Sequence, residues 1–205
     1  MEVKLVIFDL DGVLVDACEW HRIALNESLK EVCGHEITLE EHYNDYNGLP
    51  TKVKLQKLTE RNILDESKHE EVYTLKQQKT KDIIEREATI RQEKIDLFEW
   101  LIDEKDIKVA CFTNSIRETA YLMLDQTGIL HYFEMILTNQ DVTKSKPDPE
   151  GYLKTLKELN FSNKNTIIIE DSPKGVAAAE ASGCHVIVVK NPDEVTIDLF
   201  KEVIK

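Results

Sequence analysis

Short, nearly continuous runs of apolar residues mark five segments of the chain as candidate strands. Each run is four or five residues long, which is typical of strands buried on both faces of a parallel sheet. The candidates are Leu5–Phe8, Val109–Phe112, Met135–Thr138, Thr166–Ile169 and His185–Val189. The last four alternate with helical patterns, and this alternation predicts an α/β fold with a Rossmann-like parallel sheet.

The stretch between the first and second runs has a different pattern. Residues 17–90 show no strand pattern and contain very little glycine or proline. Apolar residues such as Leu25, Leu29 and Val32 recur at helical spacing, and Asp65–Arg91 is a long charged stretch of helical character. We therefore expect a bundle of four helices, inserted into the α/β part of the chain.

Two acidic residues follow the first predicted strand. Asp9 and Asp11 lie one residue apart and precede Gly12. Open α/β sheets bind their ligands at the carboxyl ends of the strands. Two carboxylates at such a place repel each other unless a cation lies between them or one carries a proton. Taken alone, the pair is as compatible with a helix cap or a turn as with a metal site. A metal site would imply metal-dependent chemistry.

Polar residues also follow or neighbour the later predicted strands. Hydroxyl and amide groups suit a phosphate oxygen, and flanking prolines restrict the backbone around a lysine. Each segment taken alone is also common in turns and helix caps. The segments are Thr113-Asn114-Ser115, Lys146 within Ser-Lys-Pro-Asp-Pro, and Glu170-Asp171-Ser172. Their combination, in this order, points to one functional site.

Composition narrows the classes of partner. The chain of 205 residues carries a net charge of −13, so nothing offers the basic footprint of a nucleic-acid-binding protein. An anionic substrate must then be attracted locally, by a metal ion and Lys146. No run approaches the roughly 18 apolar residues of a membrane span, and we expect no signal peptide before the first strand. The four cysteines form no C-x-x-C pair, so we expect a cytoplasmic protein with reduced thiols.

The four segments together resemble the motifs of the haloacid dehalogenase superfamily. The similarity is to the subgroup with a helical cap, which includes β-phosphoglucomutase and phosphoglycolate phosphatase. The resemblance spans nearly the whole chain. It implies a Rossmann-like catalytic core formed by residues 1–16 and 91–205. It also implies that residues 17–90 form an α-helical cap between motifs one and two. The cap boundaries would act as hinges, and closure would exclude water.

The resemblance also implies a role for each motif residue. Asp9 would be the nucleophile that forms an aspartyl-phosphate, and Asp11 the general acid and base. Thr113 and Asn114 would bind phosphate, and Lys146 would stabilise Asp9 and the transferred phosphoryl group. The second acid argues against dehalogenation, because haloacid dehalogenases lack it.

A Mg²⁺ cofactor follows from the same resemblance. Its expected ligands are the carboxylates of Asp9 and Asp171 and the backbone carbonyl of Asp11. Glu170 would support the ion directly or through water. Magnesium suits such a site because it is hard and octahedral, and because it keeps positions for water and phosphate oxygens.

The cap residues bear on the choice between hydrolysis and isomerisation. His21 falls where sugar phosphomutases carry a histidine, but many related phosphatases have one too. Thr51 takes the position of the mutase arginine, with Lys52 beside it, and lysine cannot replace a bidentate fork. His21, Thr51 and Lys52 are the candidate cap contacts to substrate.

These departures favour a phosphatase that acts on a small phosphorylated metabolite, with a sugar phosphate as the first candidate. A β-phosphoglucomutase-type phosphomutase is the alternative, and a non-catalytic binding module with the same fold is a further one. We expect a monomer without nucleic-acid or membrane partners.

Overall fold

Five parallel strands form the centre of the fold. The computed structural model describes residues 2–204. The strands are β1 Leu5–Phe8, β2 Lys108–Phe112, β3 Met135–Leu137, β4 Thr166–Glu170 and β5 His185–Val188. Their order in the sheet is β3-β2-β1-β4-β5, and every neighbouring pair is parallel. The predicted Rossmann-like sheet, with the first strand at its centre, is confirmed.

Nine α-helices are found among the described residues. They are α1 Cys18–Cys33, α2 Leu39–Glu41, α3 Thr51–Glu60, α4 His69–Glu87, α5 Gln92–Glu99, α6 Arg117–Gln126, α7 Glu150–Glu158, α8 Pro173–Ala181 and α9 Ile197–Val203. Two π-helical turns, His42–Tyr46 and Trp100–Glu104, follow α2 and α5. Within residues 2–204, no helix combines the length and apolar character needed to cross a membrane.

The chain separates into two compact units. One, here called the core unit, contains the residues up to Asp16 and those from Thr89 onward, and the other, the helical unit, is Ala17–Ala88. The boundaries expected from the sequence lie at residues 16/17 and 90/91. The function of the helical unit as a cap stays a prediction.

The core unit buries its central strand completely. All four residues of β1 have no exposed surface, as expected for a strand covered on both sides by helices. On one face, α7 comes very close to β2: a Cβ atom at Gly151 would lie 2.2 Å from the ring of Phe112. Glycine at this position therefore permits the approach. The close approach of α7 brings the ring of Tyr152 against that of Phe112, with the ring centroids 5.0 Å apart in a T-shaped arrangement.

The helical unit contains no strand, and α1 packs against α4. Its apolar cluster includes Leu25 and Leu29 from α1 and Val72 from α4. Four α-helices lie in this unit, but α2 has only three residues and runs into a π-helical turn. The predicted long charged helix is preceded by a short 3-10 turn, so the regular α-helix covers only His69–Glu87.

One buried histidine of the helical unit has unusual surroundings. His42 is 1% exposed, and neither ring nitrogen has a hydrogen-bond partner. Burial, reinforced by the positive charges of Lys54 and Arg22, lowers the pKa of His42 to about 4. The folded protein therefore holds this ring in its neutral form at pH values where an unfolded chain would protonate it.

The His42 pKa predicts that the fold loses stability in mild acid. Because the folded pKa lies below the unfolded value of about 6.5, His42 contributes its stability above pH 6.5 and loses it as pH falls toward 4. We expect this loss to be on the order of 1–3 kcal/mol, measured by urea unfolding at pH 7 and pH 4. In His42→Leu, the free energy of unfolding should change less between pH 7 and pH 4 than in the wild type. Replacement of the exposed His131 by Gln should leave this change as large as in the wild type. An unchanged pH dependence in His42→Leu would contradict the assignment.

Candidate active site

The sheet order brings three motif residues to one edge. Asp9 directly follows β1, and its N–H donates to the carbonyl of Ile169 in β4 at 3.0 Å. Thr113 directly follows β2, and Glu170 is the last residue of β4. Because β1 lies between β2 and β4, these residues meet at the carboxyl ends of neighbouring strands.

Lys146 connects two of the carboxylates. Its Nζ donates to Asp9 Oδ1 at 2.5 Å and to Glu170 Oε1 at 2.6 Å. The ammonium also lies 4.9 Å from the ring centroid of Phe112 and 5.1 Å from that of Tyr152. Lys146 is 4% exposed and Glu170 is fully buried. The charge is thus held by two carboxylates and two aromatic faces, away from water.

Burial and charge act in opposite directions on this group. Burial alone would lower the pKa of Lys146, but the carboxylates of Asp9 and Glu170 raise it above its ordinary value. Burial raises the pKa of Asp9 well above its usual range, and Lys146 opposes that rise while Glu170, Asp171 and Asp11 add to it. One lysine therefore leaves the acidic cluster short of positive charge.

The backbone of Lys146 is positioned by Asn114. The Lys146 N–H donates to Asn114 Oδ1 at 3.1 Å, and Asn114 Nδ2 donates to the Lys146 carbonyl at 3.4 Å. The sequence suggested Asn114 as a phosphate contact, and that role stays a prediction. The structure adds a positioning role, which the sequence could not indicate because 32 residues separate the pair.

Asp11 is held by two hydroxyl groups from the segment after β2. Its Oδ2 accepts from Thr113 Oγ1 at 3.1 Å and from Ser115 Oγ at 2.8 Å. The N–H of Ser115 donates to Thr113 Oγ1 at 2.9 Å, which orients that hydroxyl. Ser115 was not assigned a role from the sequence, although it belongs to the Thr-Asn-Ser motif. Two donors on one oxygen hold the Asp11 carboxyl group in a defined orientation.

Three carboxylates form a possible cation site. Asp9, Glu170 and Asp171 each offer an oxygen, and these atoms all lie within 4.8 Å of one another. Asp171 Oδ1 is buried and has no hydrogen-bond partner. Burial, followed by the charges of Glu170 and Asp11, raises the pKa of Asp171 to about 7. A hard divalent cation fits these three carboxylates, because it would be bound by the unpaired Asp171 oxygen and would offset the repulsion among the carboxylates.

Two residues that the sequence analysis did not assign shape this cluster. Tyr152 Oη donates to Glu170 Oε1 at 2.5 Å. At Gly175, a Cβ atom would lie 2.0 Å from Glu170 Oε2, so only glycine leaves room for the carboxylate there. Gly175 could have been noticed as a glycine in the first turn of α8. Nothing in the sequence indicates the Tyr152 contact.

The candidate substrate contacts of the helical unit have local partners of their own. His21 Nδ1 lies 3.1 Å from Lys76 Nζ. Lys52 is exposed, with its Nζ 5.7 Å from the ring centroid of Tyr73. Thr51 is the first residue of α3. Their contact with substrate stays a prediction. The structure also buries two lysines of this unit that the sequence analysis did not single out, Lys54 and Lys76.

Comparison with known proteins adds family and fold. A family model described as haloacid dehalogenase-like hydrolase matches residues 6–189. A phosphoglycolate phosphatase of Aquifex aeolicus is 26% identical over 88% of this chain and 82% of its own length. A phosphorylated carbohydrates phosphatase of Thermotoga maritima is 28% identical, also over 88% of this chain and 82% of its own. The solved β-phosphoglucomutase of Clostridium difficile has 22% identity and a TM-score of 0.83, covering 98% of this chain and 96% of that one.

These relatives agree on family and differ in the substrates that their names give. At 22% identity, the solved structure shows the shared fold alone. The two phosphatases are named for different phosphate esters. The substrate must therefore be argued from this chain's own residues.

The Asp171 pKa predicts that Mg²⁺ binding displaces protons below neutral pH. At pH 6 the Asp171 carboxyl is largely protonated, so a cation must compete with a proton. The apparent Mg²⁺ affinity should be roughly tenfold lower at pH 6 than at pH 8.5. Titration calorimetry in buffers of different ionisation enthalpy should detect released protons at pH 6, and Asp171→Asn should lose this pH-dependent part. Equal affinity at both pH values, with no proton release, would rule out the linkage.

Proposed function

The chain belongs to the haloacid dehalogenase-like hydrolase family, and from that premise we propose that it is a Mg²⁺-dependent phosphatase of a small phosphorylated metabolite. A sugar phosphate is the first candidate. The observation that carries the proposal is the buried contact of Lys146 with Asp9 and Glu170 at the sheet edge. It supplies a nucleophile and a neutralising charge in one place.

Phosphate esters resist nucleophilic attack because their own negative charge repels the nucleophile. A site that hydrolyses them must neutralise charge and align the reacting groups. In the proposed reaction, a carboxylate oxygen of Asp9 attacks phosphorus and the bond from phosphorus to the ester oxygen breaks. Lys146 stays on Asp9 and offsets the charge on the transferred phosphoryl group. The product of this step is a phosphoryl group on Asp9.

Asp11 handles the proton in both halves of the reaction. In the first half it gives a proton to the leaving ester oxygen, and in the second it takes one from the attacking water. The water oxygen bonds to phosphorus, the bond to Asp9 breaks, and inorganic phosphate leaves. Thr113 and Ser115 donate to Oδ2 of Asp11, which orients the carboxyl group that carries this proton. Thr113 and Asn114 would also contact phosphate oxygens.

The residues expected to hold Mg²⁺ are Asp9, Asp171, Glu170 and the backbone carbonyl of Asp11. The ion would supply positive charge to the phosphate oxygens. The orphaned Asp171 oxygen and the close carboxylates support this assignment.

The helical unit is proposed to act as a cap that selects the ester. His21, Thr51 and Lys52 are the proposed contacts to the part of the substrate that does not react. Threonine at position 51, where mutases carry an arginine, favours a phosphatase over a phosphomutase, because a bidentate grip on a second phosphate is lost.

A screen of phosphorylated metabolites tests the proposal. In the presence of Mg²⁺, the protein should release inorganic phosphate from p-nitrophenyl phosphate and from at least one small metabolite ester. Sugar phosphates are tested first. EDTA should stop the release. Asp9→Asn, which keeps the shape of the side chain but removes the nucleophile, should reduce turnover by at least about 10³-fold.

Other outcomes would assign a different function. Interconversion of β-glucose 1-phosphate and glucose 6-phosphate without net phosphate release would show a phosphomutase. Release from phosphoproteins but from no small ester would contradict the substrate class. No metal-dependent turnover of any ester would favour a binding module.

A further inference from the structure

Tyr152 carries a buried hydroxyl that the proposed reaction leaves without a role. It lies in α7, has no exposed surface, and follows Lys146 by six residues. Its hydroxyl donates to Glu170 Oε1 at 2.5 Å. Burial, followed by the negative charge of Glu170, raises the pKa of Tyr152 well above its ordinary value, so the hydroxyl keeps its proton. It is therefore a permanent donor to this carboxylate.

The oxygen that accepts from Tyr152 is the same one that accepts from Lys146. Lys146 Nζ is 2.6 Å from Glu170 Oε1, while the N–H of Asp171 donates to Oε2 at 3.2 Å. The carboxylate thus has a donor on each side, and its plane is defined. Lys146 divides its charge between this oxygen and Asp9 Oδ1. A second donor on Oε1 weakens the pull of Glu170 on the ammonium.

Two glycines limit the alternatives open to the carboxylate. A Cβ atom at Gly151 would lie 2.2 Å from Phe112, so α7 lies closer to β2 than a residue with a side chain at this position would allow. A Cβ atom at Gly175 would lie 2.0 Å and 2.1 Å from the two oxygens of Glu170. The carboxylate therefore sits between the backbone of α8 and the hydroxyl of Tyr152. Because both helices lie so close, the Tyr152 hydroxyl is well placed to control the orientation of the Glu170 carboxylate.

We propose that Tyr152 is a positioning residue of the core site. Its hydroxyl orients the carboxylate of Glu170 and so keeps Lys146 shared with Asp9. The aromatic ring has a separate part, since it packs against Phe112 and faces the ammonium. Without the hydroxyl, Glu170 binds Lys146 more strongly and the ammonium moves away from Asp9. The same loss lets the carboxylate rotate away from Asp171 and weakens the cation site. The consequence for turnover rests on the proposed function.

Tyr152→Phe separates the hydroxyl from the ring. The matched control is Thr155→Val, because Thr155 is one turn further along α7 and fully buried, and its hydroxyl donates to the Gly151 carbonyl at 2.9 Å. Four quantities are measured for both variants: kcat and KM for p-nitrophenyl phosphate, Mg²⁺ affinity by calorimetry, and the urea midpoint. Tyr152→Phe should lower kcat about tenfold with little change in KM, and Mg²⁺ affinity about threefold or more. Thr155→Val should change the urea midpoint alone.

Each outcome decides the inference. Tyr152→Phe with the kcat and Mg²⁺ affinity of Thr155→Val would overturn it, whatever the change in stability. Replacement of Tyr152 by 4-aminophenylalanine restores an N–H donor at the same place, and it should recover both quantities. If Tyr152→Phe does not fold, the 4-aminophenylalanine variant is measured in its place. A kcat or Mg²⁺ affinity of this variant below that of the wild type would then overturn the inference. If the wild type turns over no ester, the proposed function fails, and the Mg²⁺ affinities still decide the positioning role.

Discussion

The buried ammonium of Lys146 is the contact on which the site depends. It joins the end of β1 to the end of β4 through Asp9 and Glu170, and all three side chains are buried. A buried carboxylate without such a partner would be strongly unfavourable. Yet one positive charge faces three close carboxylates when Asp171 is included. The remaining imbalance favours a bound cation or a proton at the cluster, and the raised pKa values of Asp9 and Asp171 express the same imbalance.

The fold serves this cluster through backbone proximity. The central position of β1 places Asp9 between β2, which Thr113 follows, and β4, which ends at Glu170. Gly151 and Gly175 then let two helices approach closely, so that Tyr152 of α7 and the backbone of α8 at Gly175 both lie against Glu170. Close packing of this kind suits a phosphoryl-transfer site, because catalysis there comes from alignment and charge.

Much of the core was predictable because its signals are local. The apolar runs identified all five strands to within about a residue, and motif order placed the acids at strand ends. The contacts of Ser115 and Tyr152 were not predictable, since their partners are far away in sequence. In the helical unit, periodicity predicted helices correctly, but it also overextended the charged helix before His69.

The proposed reaction requires a covalent bond between the phosphoryl group and the carboxylate of Asp9. Asp11→Asn should slow hydrolysis of the phosphoryl enzyme, while p-nitrophenolate needs little help to leave. The variant is therefore mixed with p-nitrophenyl phosphate and Mg²⁺, quenched in acid and reduced with borohydride. Mass spectrometry of the N-terminal peptide should find Asp9 converted to homoserine, and EDTA should prevent the conversion. Conversion of a different residue, or an unmodified Asp9 after a measured burst of p-nitrophenolate, would contradict the account.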